Sequence, residues 1–127
     1  MNYSAALCGF CSLALLLGAC SGSTRTGNPY TLKADRELEA YLPGDVRRVH
    51  AAALKVVKEE FRYQVVHSAT DAREGIIEGK TTTGVSFRIE TYRSTDKVTR
   101  TEVFVGPMGN EEVMRNLLEE IAEALKK

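Results

Sequence analysis

The chain has 127 residues, 17 basic and 17 acidic side chains, two histidines and no tryptophan. That is room for one modest core, and the balance of charge gives no electrostatic case for nucleic acid or an acidic polymer as partner. Every one of these charges lies beyond residue 19.

Taken from the N-terminus, Ala5 to Leu17 is an apolar run, too short to span a bilayer comfortably, which takes about 20 residues. It closes in Leu17-Gly18-Ala19-Cys20, which resembles the lipobox of a bacterial lipoprotein signal peptide. The resemblance implies export, cleavage before Cys20, diacylglycerol on the Cys20 thiol and acylation of the new amino group. Two or more chains hold a protein where one does not, because each buried CH₂ contributes about 0.8 kcal/mol. Met1-Asn2-Tyr3-Ser4 lacks the Lys or Arg with which such leaders begin, and Gly18 stands where Ala or Ser is commoner. In Gram-negative lipoproteins Asp after the cysteine favours the inner membrane. Ser21 stands here and points to the outer membrane, facing the periplasm. Cys8 and Cys11 leave with the leader, so their C-x-x-C spacing is no redox motif and Cys20 is the sole thiol of the mature chain.

Ser21 to Pro29 is small, polar and turn-rich, and reads as a flexible tether. Three parts follow: a signal peptide at 1–19, a lipidated cysteine with its tether at 20–29, and a single domain at 30–127. Thr31 to Leu42 alternates as one strand, broken in period at Arg36, although Ala34, Leu38, Tyr41 and Leu42 also fit a helix. Pro43-Gly44 ends it, Asp45 is placed to cap a helix, and Val46 to about Arg62 is that helix. Its apolar side carries Val46, Val49, Ala53, Val57 and Phe61. Its outer side carries Arg47, Arg48, Lys55, Lys58 and Arg62. Strands are expected at Tyr63–Ser68, Gly75–Thr81, Val85–Tyr92 and Val98–Val105, joined by turns short enough for hairpins. Gly106-Pro107-Met108-Gly109 breaks the sheet, and Asn110 caps a last helix, Glu111 to Leu125, with an acidic outer stripe of Glu112, Glu119, Glu120 and Glu123. The expected fold is α+β, a two-layer sandwich of about five antiparallel strands in the order β-α-β-β-β-β-α with both helices on one face. Ser86, Arg88, Glu90, Tyr92, Arg100, Glu102 and Phe104 would share the other face.

Four patches carry a family resemblance: Asp45-Val46-Arg47-Arg48-Val49 with Ala51 to Ala53; Gly75-Ile76-Ile77-Glu78-Gly79-Lys80; Gly84-Val85-Ser86-Phe87-Arg88-Ile89; and Val103-Phe104-Val105-Gly106-Pro107-Met108-Gly109-Asn110. With them, roughly residues 31–125 resemble a family of small bacterial lipoproteins whose domain has no assigned function (DUF3568-like). In that family the last patch resembles Arg-Val-Gly-x-x-Gly-Asp before the closing helix. Phe104 here replaces the Arg, and Asn110 replaces the Asp. The resemblance implies fold and location and brings no activity.

Candidate chemistry is sparse. His50 and His67 do not make a metal site, which needs three or four converging ligands, so no metal or other cofactor is expected. No Gly-x-Ser-x-Gly is present. Gly106-x-x-Gly109 precedes a helix, but it lacks the lysine of a phosphate loop, and Glu111 and Glu112 would repel an anion there. The expectation is a non-catalytic binding or scaffolding module of the cell envelope, held to the membrane by lipid on Cys20. Its interaction surface is drawn from Arg47, Arg48, Lys55, Lys58, Arg62, Tyr92 and Phe104, and its leading partner is another protein or a peptide. The alternative is a small-ligand or lipid-binding domain with a pocket between helices and sheet.

Overall fold

The computed structural model describes residues 20–24 and 27–127. The expected signal peptide at 1–19 lies outside the described residues. The described chain is α+β: β1 (Cys20–Ser23), β2 (Pro29–Leu32), β3 (Leu38–Pro43), α1 (Val46–Lys55) prolonged by a π-helical turn (Val56–Glu60), β4 (Gln64–Thr70), β5 (Glu74–Lys80), β6 (Ser86–Arg93), β7 (Val98–Val105) and α2 (Glu111–Leu125). All neighbouring strands are antiparallel, in the order β1-β2-β3-β7-β6-β5-β4.

The sheet therefore has seven strands where about five are expected, and both additions lie at its N-terminal end. Residues 20–29, read as a tether, fold back on themselves where they are described: Cys20 to Ser23 pair with Leu32 to Pro29. Thr24 closes the turn, its carbonyl accepting from the Gly27 amide at 2.9 Å and its hydroxyl from the Asn28 amide at 3.1 Å. The Tyr30 ring lies so close over Gly22 that a Cβ there would stand 3.0 Å from it. The single strand expected over Thr31 to Leu42 is two strands with a turn at Arg36, whose φ of 73° lies in the left-handed region. Asp35 Oδ1 accepts from the Glu37 amide inside that turn.

The period-2 pattern is kept elsewhere except in β4, whose register with β5 shifts between Val65 and His67. Leu38, Ala40 and Leu42 of β3, Val103 and Val105 of β7, Phe87 and Ile89 of β6 and Ile77 of β5 turn to one face and are buried. Both helices cover that face, α1 with Val49 and Ala53, α2 with Met114, Leu117, Leu118, Ile121 and Leu125. Asp45 Oδ1 caps α1 by accepting from the Arg48 amide at 2.8 Å, and Asn110 Oδ1 caps α2 by accepting from the Val113 amide at 3.2 Å. Glu111 to Leu125 is the helix expected from its 3.6-residue period, and Val98 to Val105 the strand.

The first helix departs from its regular pattern. Val56 and Val57, both buried, open a π-helical turn. The Phe61 amide donates to the Val56 carbonyl at 3.1 Å and Arg62, at φ 59°, ends the helix. Phe61 then stacks on Tyr63, and Tyr63 meets Phe87 at a tilt, each pair of ring centroids 5.4 Å apart.

Truncating Leu118, 1% exposed at the middle of α2, removes side-chain volume from the shared core. Leu118→Ala should lower unfolding stability by about 2–5 kcal/mol in a urea titration. A change under about 1 kcal/mol would place Leu118 outside a packed core.

Candidate interaction surface

The face of the sheet away from the helices is polar, and its residues stand in rows across the strands. Glu90 of β6 is opposite Glu102 of β7, and Glu102 is opposite Glu39 of β3, so three carboxylates lie abreast. Like charges directly opposite one another are unfavourable. Cations from the flanking rows offset them. Arg88 Nε meets Glu90 Oε1 at 2.5 Å and its Nη2 meets Glu37 Oε1 at 2.6 Å. Arg100 Nη1 meets Glu102 Oε2 at 2.6 Å and Glu39 Oε2 at 3.6 Å. Lys33 Nζ stands 3.1 Å from Glu102, 3.8 Å from Glu37 and 3.9 Å from Glu39. Burial pushes the Glu37 carboxyl up, and its hydrogen bond with Glu102 adds to that against the pull of Arg88. Burial also opposes ionisation of Glu102, but the hydrogen bonds from Glu37 and Lys33 outweigh it and hold Glu102 down.

Both aromatic residues expected on this face lie under arginines. The Arg100 guanidinium is 4.5 Å from the Tyr92 ring centroid and that of Arg88 is 5.6 Å from Phe104. Tyr92 also donates its hydroxyl to Glu90, and this bond first, then burial, pushes the phenol up to about 12. Tyr41 of β3, 58% exposed, is the large apolar side chain left open on this face.

A second feature lies at one end of the sandwich. Tyr63, the Thr81–Val85 turn, Val105, the 106–110 loop and Val113 enclose a mostly apolar cleft of about 520 Å³. The loop is held in place by the β2–β3 turn. Arg36 Nε donates to the Met108 carbonyl at 3.1 Å, and the Arg36 carbonyl lies 2.7 Å from where a Cβ on Gly109 would stand. Gly109 has φ 72°, so both the backbone conformation and the space exclude a side chain there.

The pattern of the family described as protein of unknown function (DUF3568) matches residues 4–124. The chain belongs to the DUF3568 family. No curated protein matches it. The four patches of family resemblance fall at the cap of α1, on β5, on the turn into β6, and on β7 with the loop and cap that lead to α2.

The structure does not assemble the expected surface residues of this DUF3568 protein into one patch. Arg47, Arg48, Lys55, Lys58 and Arg62 are exposed on α1 and its extension, remote from Tyr92 and Phe104 on the opposite face of the sheet. Arg48 contributes to the fold itself, since its Nη2 donates to the Leu125 carbonyl at 2.9 Å and satisfies the end of α2. In the acidic stripe of α2, Glu119 is only 3% exposed and so faces inward. Sequence reasoning missed Lys33, Glu37 and Glu39. Their signal was an alternation of charge with apolar residues on either side of Arg36.

His50 reaches from α1 to the sheet, where its Nε2 lies 3.0 Å from Ser68 Oγ. Its Nδ1 has no hydrogen-bond partner among the described residues, nor has Thr91 Oγ1. A serine–histidine nucleophile needs a group orienting the second nitrogen, and none is present there among the described residues. Both atoms crowd Gly75, where a Cβ would stand 2.8 Å from His50 Nδ1 and 2.6 Å from Thr91 Oγ1. Among the described residues no group of three or more His, Cys, Asp and Glu side chains is placed to hold a metal ion.

Burial lowers the His50 pKa from its ordinary 6.5. The unfolded chain therefore takes up a proton at His50 before the folded one does. The stability this group contributes is complete above about pH 6.5 and is lost as the pH falls toward the folded value. Melting temperature should fall over that interval, and His50→Gln should be less stable near neutrality with a flatter profile. Parallel profiles for the two proteins would show that His50 has no part in the pH dependence.

Proposed function

We propose that this DUF3568 protein is a lipid-anchored bacterial envelope protein, cut before Cys20 and acylated there. In this reading it is a non-catalytic binding or scaffolding module on the outer membrane, facing the periplasm. The observation that carries the reading is Leu17-Gly18-Ala19-Cys20 at the end of an apolar run. One other supports it. The family pattern begins at residue 4 and so spans Leu17 to Cys20. Ser21 supports the outer-membrane destination.

For the partner, the reading rests on the bare sheet face and on the edge strand β4. Gln64 and Val66 to Thr70 are exposed along β4, and Val66, at a break in register with β5, is 67% exposed. Such an edge accepts an added strand through its free backbone groups. The charged lattice on β3, β7 and β6 suits a polar, hydrogen-bonding protein or peptide. A second reading, a small apolar ligand or lipid, is favoured by the cleft at Tyr63, Val105 and Val113.

Radiolabelled palmitate should enter the protein in growing cells. Cys20→Ala should abolish the label and accumulate uncut precursor. Undiminished labelling of Cys20→Ala, or absence of label from the unaltered chain, would overturn the anchoring.

A further inference from the structure

We infer that the domain stands on the lipid surface by one particular end: the end formed by the cleft and by the exposed tip Pro107-Met108. The inference rests on the anchoring proposed above. It adds an orientation and a second, non-covalent contact with the bilayer.

Strand register fixes where the apolar leader joins the fold. Cys20 is paired with Leu32, Leu32 with Leu38, and Leu38 with Val103, two residues before β7 ends. Cys20 thus enters at the end of the sheet that holds the β2–β3 turn, the start of β6 and the 106–110 loop. Three strand spacings separate it from β7, about 15 Å across the sheet. Whether the bilayer is reached through lipid on Cys20 or through the apolar stretch at 5–17, the attachment enters at this end.

This end also carries the most exposed apolar side chain among the described large hydrophobics. Met108 is 78% exposed, against 67% for Val66 and 58% for Tyr41. The Arg36 bond to the Met108 carbonyl holds the tip in place, so it is presented by a fixed loop. Behind it the cleft of about 520 Å³ is walled by Tyr63, Val85, Val105 and Val113. A flexible thioether beside an apolar cleft suits hydrocarbon chains. Charges around this end are mixed: Arg36, Lys58, Arg62 and Lys80 are exposed, but so are Asp35, Glu59, Glu60 and Glu112. The contact is therefore assigned to apolar insertion of the tip and not to attraction by anionic headgroups. The opposite end, where the Ser94–Lys97 turn joins β6 to β7, carries Arg93 and Asp96 paired with each other and points away from the membrane.

The absence of tryptophan makes the test direct. Met108→Trp and Ser94→Trp each give a single tryptophan, one at either end, excited selectively over the five tyrosines. Each protein is extracted from cell membranes and reconstituted into vesicles whose phospholipids are brominated on the acyl chains. Emission from Met108→Trp should be quenched several-fold and shifted to the blue, and high salt should leave this unchanged. Emission from Ser94→Trp should match that in unbrominated vesicles. Quenching of Ser94→Trp alone, equal quenching of both, or quenching of neither would overturn the orientation. Mass spectrometry of the same preparations reads acylation of Cys20 separately. The same variants, begun at Cys20 and coupled through it to a maleimide lipid, report orientation even where the cell adds no acyl group. Failure of the anchor and failure of the orientation are therefore distinguishable.

Discussion

Strand β3 lies antiparallel to β7 over six residue pairs, from Leu38 with Val103 to Pro43 with Val98. This pairing joins the N-terminal hairpin to the four-strand meander, across a long separation in sequence whose closure entropy the burial of Leu38, Ala40 and Leu42 against α2 must offset. It is clamped at both ends. The Gly44 amide donates to the Lys97 carbonyl at 2.7 Å, and Thr99 Oγ1 donates to the Gly44 carbonyl at 2.8 Å. At the other end the Arg36 turn holds the Met108 carbonyl. The alignment of charges on the open face and the end at which Cys20 enters both follow from this one register.

The open face shows what that register imposes. Glu39, Glu102 and Glu90 come abreast only because β3, β7 and β6 are aligned as they are. Isolated exposed ion pairs contribute little. Here Lys33, Arg88 and Arg100 each bridge two or more carboxylates, and two of them also cover an aromatic ring. Tyr92 and Phe104 are thereby engaged within the face itself. Apart from the exposed Tyr41, a partner on this surface would meet carboxylates and guanidinium groups.

Much of this was legible in the sequence where one face of an element is buried. Val98 to Val105 and Glu111 to Leu125 were readable to the residue because burial on one side stamps a period on them. The edge hairpin β1–β2 left no such mark: Cys20-Ser21-Gly22-Ser23 alternates nothing apolar, and the features that read as a tether also suit a short edge strand closed by Thr24 and Asn28. Arg36 signalled its turn by breaking the period, but not that the chain would reverse there. The π-helical turn over Val56–Glu60 is not encoded by residue propensity. Of the candidate surface, the residue types were readable. The arginine-covered aromatics and the use of Arg48 as a cap for α2 depend on contacts between distant segments.

Native-state hydrogen exchange tests the central pairing most directly. If β3 and β7 form the centre of the fold, the hydrogen-bonded amides of Ala40 to Leu42 and of Thr99 to Val103 should exchange only through global unfolding, with one shared free energy. Amides of β1 should open locally and exchange faster. Exchange of the β3 amides at the rate of β1, with β7 still protected, would contradict the pairing and with it the placement of Cys20 at the Met108 end.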